Sequence, residues 1–424
     1  MTSQHFAEQH PDLTPARLRA LAAEYGTPLW LYDASTVRQR IAQLRRFDRV
    51  RYAQKASSNI HLLGLMRAEG VVVDAVSLGE VERALVAGFS SRDGKSELVF
   101  TADVLTRDAL ERVVQEQIPV NTGSIDMLRQ LAARAPGHRV WLRINPGFGH
   151  GHSRKTNTGG ENSKHGIWHE HLAEALRVIH DGQLDLVGLH MHIGSGVDYA
   201  HLASVCDAMV ELAMKLPQKI RAISAGGGLS IPYRAGDPSP DIEHYFELWD
   251  RARQRLVRHF GAPLELELEP GRFLVAESGL LVAEVCATKD MGKNHFVLVD
   301  AGFSDLMRPA MYGSHHDLTL LPAESTARAS EERLTVVGGP LCESGDVFTQ
   351  DDAGIVVPRL LAPARVGDLL IFHDAGAYGS SMSSNYNSRP LAPEVLVDGT
   401  SQRLIRRRQT MQELLALETF GASG

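Results

Sequence analysis

Short apolar runs alternate with stretches of helical spacing over the first two thirds of this chain. Eight runs of apolar and β-branched residues are bounded by turn residues, at positions 51–53, 71–76, 98–101, 118–120, 140–144, 186–190, 220–224 and 264–268. Between them, apolar residues recur at helical spacing in 59–69, 78–88, 124–135, 172–180, 199–215 and 242–260. Eight strand and helix alternations over about 220 residues predict a TIM-type (β/α)8 barrel. The alternative, a doubly wound open sheet, lacks a glycine-rich dinucleotide turn after its first strand.

The pattern changes from about Phe273 onward. Short apolar runs at 281–286, 296–299, 334–337, 369–372 and 395–397 are separated by Gly, Pro and Asp, which predicts a second, mainly β domain. The run at 29–32 precedes the barrel and is predicted to be a strand of that same domain. We therefore expect a barrel domain over 33–273 and a β domain made of 1–32 and 274–424.

Composition excludes several classes of protein. A net charge of -7 and a single short basic run, 406–408, argue against nucleic acid as the main partner, and a solvated face or local ion pairs is the better interpretation of that run. No apolar run is long enough to span a bilayer and 1–26 lacks a signal-type block, so we expect a cytoplasmic protein without a membrane partner. The three cysteines are too scattered for a disulfide framework or a metal knuckle.

Unusual polar residues fall at the C-terminal ends of the predicted strands, where a barrel collects its catalytic groups. They are Lys55, Asp74, Asp103, Arg143, His190, His192, Gly226 to Gly228, and Glu269 to Arg272. The connection 145–166 is too long and glycine-rich for a routine loop, and a mobile active-site loop or a floppy insertion fits it equally well.

For several of these residues, two alternative roles are open. Lys55 is either a nucleophilic amine at the barrel mouth or a solvated lysine. The glycines at 226–228, with Gly271, suit a phosphate site or a tight turn, and the Ser195 hydroxyl could add a donor to such a phosphate. His190 and His192 could bind a metal with Glu267 and Glu269, or one ring could stack on a flat cofactor.

Further polar groups lie at a strand end and in the β domain. Glu269 could pair with a pyridine nitrogen, and Arg272 could bind a carboxylate or a phosphate. Alternatively, the two could form a structural ion pair. In the β domain, the glycine-punctuated turns at 342–346 and 376–379 carry Cys342, Glu343 and Tyr378. A thiol beside a carboxylate suits a proton donor better than a resting thiolate.

Taken together, these motifs resemble the alanine-racemase-like, fold-type III pyridoxal-phosphate enzymes, and more narrowly the branch that decarboxylates diaminopimelate. The resemblance rests on 52–56, 190–195, the triple glycine, 269–272, 342–346 and Tyr378, and it extends to 26–29, 300–302 and 308–313. It covers essentially the whole chain in the right order. Two departures are Ser57 to Asn59 after the lysine motif and His165, where many relatives carry Phe.

The resemblance implies a pyridoxal phosphate cofactor, no metal, and decarboxylation of meso-diaminopimelate to L-lysine and carbon dioxide. It implies that Lys55 carries the cofactor covalently, His192 stacks on the ring, Glu269 pairs with its nitrogen and Cys342 returns a proton to the substrate carbon. The remaining cofactor residues would be Asp74, Ser195, Gly227, Gly228, Gly271, Arg272 and Tyr378. The substrate would be held by Arg272, Arg308, Tyr312, Glu343 and Tyr378.

The resemblance also implies an obligate homodimer, in which Cys342, Glu343 and Tyr378 complete the active site of the neighbouring subunit. Three other interpretations remain open on the residues alone. A sister decarboxylase for ornithine or arginine would share fold and cofactor, but two arginines suit a substrate with a second carboxylate better. A non-catalytic pyridoxal-phosphate-binding protein and a metal-dependent barrel hydrolase are the others.

Overall fold

The computed structural model describes residues 10–148, 159–192, 198–323 and 331–418. The strands are β1 (Leu29–Asp33), β2 (Arg49–Ala53), β3 (Val72–Ala75), β4 (Leu98–Ala102), β5 (Val120–Thr122), β6 (Arg139–Asn145), β7 (Ile167–Trp168), β8 (Asp185–His190), β9 (Ala222–Ser224), β10 (Glu265–Leu268), β11 (Gly279–Met291), β12 (Asn294–Val299), β13 (Leu318–Leu321), β14 (Arg333–Gly338), β15 (Arg359–Leu361), β16 (Leu369–Phe372), β17 (Glu394–Asp398) and β18 (Ser401–Arg406). The α-helices are α1 (Pro15–Tyr25), α2 (Ala34–Gln43), α3 (Ile60–Ala68), α4 (Leu78–Val86), α5 (Arg107–Gln115), α6 (Ile125–Arg134), α7 (Leu172–Asp181), α8 (Tyr199–Ala213), α9 (Ile242–Phe260), α10 (Arg272–Val275), α11 (Arg308–Tyr312) and α12 (Met411–Leu415).

Parallel strands close into a barrel, which confirms the predicted fold. Strands β2, β3, β4, β5, β6, β8, β9 and β10 pair in that order, and β10 pairs back onto β2. Each of the eight predicted runs overlaps one of these strands. The short strand β7 adds to the end of β6. A closed sheet has no free edge, and its strands are buried on both faces, which explains their continuous apolar sequence.

Hydroxyl side chains start several barrel helices directly after the strands. The side chains of Ser77, Thr106 and Ser124 accept the backbone N–H of the third residue of α4, α5 and α6, respectively. Helix α5 was not among the helical stretches named from the sequence. It is short, at nine residues, and the residues it buries are Ala109 and Val113.

The second sheet contains strands from both ends of the chain. Its main path runs β15, β14, β12, β11, β1, β17, β18, with β16 beside β11 and β13 beside β16. Strand β1 pairs antiparallel with β11 and parallel with β17, so the N-terminal run belongs to this sheet as expected. One face of β1, through Leu29 and Leu31, is buried in an apolar cluster with Leu18 and Leu21 of α1.

The chain divides into two compact units. The β-rich unit takes 1–39, 232–238 and 275–424, and the barrel unit takes 40–231 and 239–274. All three cysteines are free thiols. In the basic run, Arg406 pairs with Glu394 at 2.6 Å and Arg407 pairs with Glu413, which confirms local ion pairs. Of the helices in the described ranges, none has the length and apolarity needed to cross a membrane.

Candidate active site

Strand register places the candidate residues of the barrel side by side at one rim. Ala53, two residues before Lys55, is level with Asp74 on β3. Arg143 on β6 is level with His190 on β8, and His190 is level with Ser224 on β9. Aligned residues of parallel neighbours point to the same side of the sheet, so the three side chains at Arg143, His190 and Ser224 share one layer.

Lys55 lies in a single 3-10 turn, Gln54–Ala56, that directly follows β2. The turn is held by Tyr52, whose hydroxyl donates to the carbonyl oxygen of Ser57 at 2.9 Å. Gln54 and Ala56 are buried, whereas the Lys55 side chain is exposed. The turn thus projects one amine from a buried backbone, and its charge adds to burial and to the charge of Arg143 in lowering the pKa of His192.

A buried hydrogen-bonded group forms the floor of the rim. One carboxylate oxygen of Glu269 lies 2.7 Å from Nε2 of His190, and the other accepts from the Ser224 hydroxyl at 3.1 Å. Burial by itself raises the pKa of Glu269, but the charge and hydrogen bond of His190 outweigh it and lower the pKa to about 2. Glu269 is therefore an anion fixed at both oxygens.

A second carboxyl group, that of Asp74, is also buried, but its pKa is shifted in the opposite direction to that of Glu269. Burial, and then the negative charge of Glu269, raise the pKa of Asp74 well above its ordinary value. Its Oδ1 has no hydrogen-bond partner among the described residues, and the same is true of Nδ1 of His190. Burial lowers the pKa of Arg143, whose charge is balanced by Asp103, Glu269 and Asp74. The site therefore has buried polar atoms whose hydrogen-bonding capacity the described residues leave unused.

His192 and the triple glycine are directly connected. The N–H of Gly227 donates to Nδ1 of His192 at 3.1 Å. Burial, followed by the charges of Arg143 and Lys55, lowers the pKa of His192 well below its ordinary value, so the ring is neutral and carries its proton on Nε2. The Gly227 N–H expected to face a phosphate is thus engaged by this ring.

The glycines leave no room for side chains. A Cβ on Gly227 would lie 2.6 Å from the carbonyl oxygen of Glu269, and one on Gly226 would lie 2.4 Å from that of Met191. Gly226 has a φ of +62° and Gly228 a φ of +117°, which other residues rarely adopt. Gly271 packs against Ala53, 3.1 Å from its carbonyl oxygen to the position of a Cβ. These glycines therefore let the loop pack closely against the neighbouring backbone, whereas Ser195 lies outside the described residues.

Asp103 holds the C-terminal end of the long connection to the barrel. It accepts a hydrogen bond from the N–H of Gly166 at 3.0 Å and contacts Nδ1 of His165. Asn145 binds the same segment through the carbonyl oxygens of Gly160 and His165. His165, noted only as a departure from relatives, is thus a contact of a rim residue, and the sequence carried no signal for that pairing. The middle of the connection, 149–158, lies outside the described residues.

The metal-binding interpretation finds no support in the described residues. Glu267 is buried and held by the guanidinium of Arg51, with Nε at 3.0 Å and Nη2 at 2.9 Å from its Oε2. Glu269 is held by His190, and no group of three or more His, Cys, Asp or Glu side chains in the described ranges could hold a metal ion. The carboxylates expected to serve a metal are engaged in internal pairs.

In the β-rich unit, the turn that carries Cys342 is held by side chains on both sides. The carboxylate of Asp346 accepts the N–H groups of Leu341 at 2.8 Å and Phe303 at 2.7 Å. The side-chain oxygen of Asn387 accepts the N–H of Cys342 at 2.8 Å, a partner that no motif pointed to. The turn presents Cys342 and Glu343 as exposed side chains on a fixed backbone.

The remaining candidates occupy defined positions in their own units. Arg308 and Tyr312 lie one turn apart on α11, and Arg308 is buried. Tyr378 is half-buried with a φ of +57°, in the glycine-rich turn after β16. Arg272 begins α10 at the barrel rim.

The chain is similar to known proteins in both sequence and structure. A family model described as pyridoxal-dependent decarboxylase, pyridoxal binding domain, matches residues 34–276. The diaminopimelate decarboxylase of Streptomyces coelicolor is 65% identical over 402 residues, covering 95% of this chain and 91% of the relative. A crystal structure of a diaminopimelate decarboxylase has a TM-score of 0.94 at 61% identity, covering 96% of this chain and 97% of that one. That of Helicobacter pylori, complexed with L-lysine, has a TM-score of 0.83 at 29% identity and covers 95% of this chain and 99% of that one.

Proposed function

This chain belongs to the pyridoxal-dependent decarboxylases, within them to the diaminopimelate decarboxylases, and from that premise we propose that it converts meso-diaminopimelate to L-lysine and carbon dioxide. The observation that carries the proposal is 65% identity over 95% of the chain to a diaminopimelate decarboxylase. The reaction is that of a carboxy-lyase in lysine biosynthesis, with pyridoxal phosphate as cofactor.

The rim fits a flat, anionic cofactor with a basic ring nitrogen. The Glu269 anion can face such a nitrogen, the neutral His192 ring can lie against a flat face, and Gly228, whose φ of +117° other residues rarely adopt, can bring its backbone to a phosphate. The unpartnered oxygen of Asp74 adds a buried polar atom that a ligand can satisfy. When bound, pyridoxal phosphate supplies an electron sink for the charge left by the departing carboxylate.

Each candidate residue at the barrel rim then has a separate role in holding the cofactor. Lys55 holds the cofactor covalently through the amine that its buried turn projects. Glu269, fixed by His190 and Ser224, holds a negative charge toward the ring, and His192 and Asp74 contact the cofactor. The phosphate is held by Gly228, Gly271, Arg272 and Ser195. Gly227 lines the site, and its lack of a side chain lets the loop pack closely there.

The proposed substrate-binding residues and the proton donor belong to the β-rich unit, except for Arg272. The thiol of Cys342 donates a proton to the carbon that has lost its carboxylate, from a turn held by Asp346 and Asn387. Arg308, with Arg272 and Tyr312, binds the distal carboxylate, and Glu343 binds the distal ammonium. Tyr378 lies near both cofactor and substrate.

The proposed working form is a homodimer in the cytoplasm. Cys342 and Glu343 are exposed on a fixed turn of the β-rich unit, which supports their use by a neighbouring subunit. The proposed domains are the barrel over 33–273 and a β domain made of 1–32 and 274–424. A small amino acid is the proposed ligand, and nucleic acid and membranes are not proposed as partners.

The deciding experiment offers purified, cofactor-loaded protein meso-diaminopimelate, ornithine and arginine in separate reactions and identifies the amine released. Lysine from diaminopimelate, with at least about tenfold lower kcat/KM for the other two, is the expected outcome. Putrescine or agmatine as the main product would replace the proposal with the sister decarboxylase. No amine from any of the three, with cofactor still bound, would favour the non-catalytic binding protein.

A further inference from the structure

A buried histidine in the β-rich unit holds one of the proposed substrate arginines. His316, which is 2% exposed, has its Nε2 2.9 Å from Nη1 of Arg308 and its Nδ1 2.8 Å from the carbonyl oxygen of His373. A guanidinium can only donate hydrogen bonds, and a carbonyl oxygen can only accept them. The ring must therefore accept at Nε2 and donate from Nδ1, which a neutral ring with its proton on Nδ1 alone can do.

The charges around His316 favour that same form. Burial, and then the positive charge of Arg308, hold the pKa of His316 well below its ordinary value. His315 and Arg359 act in the same direction, and the guanidinium of Arg359 donates to the His316 carbonyl oxygen, while the carbonyl of His373 acts in the opposite direction. A second positive charge on the ring would lie directly against Arg308.

An aromatic ring covers a face of the guanidinium. The Arg308 Cζ atom lies 4.6 Å from the centroid of the Tyr233 ring, a cation–π distance. Tyr233 in turn meets the ring of His316 edge to face, with centroids 5.7 Å apart at 78°. We call Arg308, His316 and Tyr233 the arginine clamp. The hydrogen bond to His316 and the cation–π contact with Tyr233 together restrain an otherwise flexible side chain.

We propose that His316 is a positioning residue for substrate recognition, whose Nε2 acceptor orients Arg308 toward the distal carboxylate of diaminopimelate. The proposal rests on the proposed function and on the role given there to Arg308. Fixing the arginine before substrate binds removes the cost of ordering its side chain from the binding free energy.

The reaction chemistry makes the proposal specific. The carboxylate that leaves is at the reacting end of diaminopimelate, so the product lysine keeps the distal carboxylate as its only one. Lysine, as a product inhibitor, therefore depends on the same clamp as the substrate. Cadaverine, which matches lysine except for the missing carboxylate, does not.

The test compares His316→Phe, which keeps a flat ring and removes both hydrogen bonds, with His316→Gln, whose amide can accept from Arg308 and donate to His373. In His316→Phe we expect the KM for diaminopimelate and the inhibition constant of lysine to rise about tenfold, the loss of one oriented charge-assisted hydrogen bond. We expect kcat to stay within about twofold and the inhibition constant of cadaverine to stay unchanged, with wild-type values restored in His316→Gln. His315→Phe is the matched control, because the ring of His315 is hydrogen-bonded to Asp317 at 2.7 Å.

Unchanged KM and lysine inhibition in His316→Phe would overturn the proposal, as would an equal rise for lysine and cadaverine. If that variant does not fold, the tautomer can be read in the wild-type protein by NMR with isotopically labelled histidine, using His316→Gln to assign the signal. A proton on Nε2 would also overturn the proposal. A wild-type protein that does not decarboxylate diaminopimelate would overturn the proposed function as well, whereas an active wild type with normal His316→Phe kinetics would overturn only the role of His316.

Discussion

Glu269 and His190 form a buried pair in the barrel, with Oε2 and Nε2 2.7 Å apart and Glu269 only 8% exposed. Glu269 keeps its negative charge in a site shielded from solvent, because His190 and the Ser224 hydroxyl each hold one of its oxygens. That arrangement can hold a ring nitrogen in its protonated form, which is what makes the ring an electron sink.

Replacing Glu269 with Gln keeps the size of the side chain and removes its charge. We expect kcat to fall about 100-fold, the effect of losing one preorganised electrostatic contact, and cofactor binding to weaken. Steady-state kinetics and a fluorescence titration with cofactor measure the two effects. Glu265→Gln is the control, since this carboxylate is exposed at the other end of β10. Wild-type turnover in Glu269→Gln would remove Glu269 from the cofactor chemistry.

Lys55→Ala is expected to abolish covalent attachment of the cofactor. Borohydride reduction followed by peptide mass spectrometry should find the adduct on Lys55 in the wild type and on no lysine in the variant. Lys215→Ala, at an exposed position just after α8, should keep the adduct. An adduct on a different lysine in Lys55→Ala would refute the assignment.

Cys342→Ala should retain the cofactor spectrum and lose most lysine formation. A positioned proton donor contributes about 100-fold to 10,000-fold to a reaction, so the fall in kcat should lie in that range. The matched thiol is Cys286, which is also exposed and lies on β11, and Cys286→Ala should behave as wild type. Normal turnover in Cys342→Ala would exclude it as the donor.

A single methyl group on Gly227 should disturb the cofactor site. The Cβ that Gly227→Ala introduces would lie 2.6 Å from the carbonyl oxygen of Glu269, so one of the two backbones must move. We expect the dissociation constant for pyridoxal phosphate to rise by at least about tenfold, which equilibrium dialysis can measure. Gly64→Ala is the control, because α3 leaves open space at that position. Equal affinity in both variants would contradict a close-packed glycine loop.

The buried carboxyl group of Asp305 should make the stability of the fold depend on pH. Burial raises its pKa from 3.8 to about 6, against the hydrogen bond from Gly302 and the charge of Arg389. The folded state therefore holds its proton more tightly, so the stabilisation is complete below about pH 4 and is lost as pH rises through about 6. Asp305→Asn should be more stable than wild type by up to about 3 kcal/mol near pH 8, with no such gain near pH 4. Urea unfolding at both values measures this, and a gain that does not depend on pH would contradict the assignment.

The sequence by itself determined the barrel and the position of its chemistry. Apolar runs with strand length and turn residues at both ends defined eight strands, because a strand buried on both faces must be apolar throughout. A polar residue at the C-terminal end of such a run, or just after it, lies at one rim of a barrel, and Lys55, Asp74, His190 and Glu269 all occupy such positions in the structure.

Only the tertiary structure decided which of those residues touch. The two histidines separated by one residue had two open uses, and the fold gives them different partners, Glu269 for His190 and Gly227 for His192. Asp103 meets His165 across 62 residues, and Arg308 meets His316 beside Tyr233. Periodicity reports the face on which a side chain lies, but its partner depends on strand register and on the path of loops that have no periodicity.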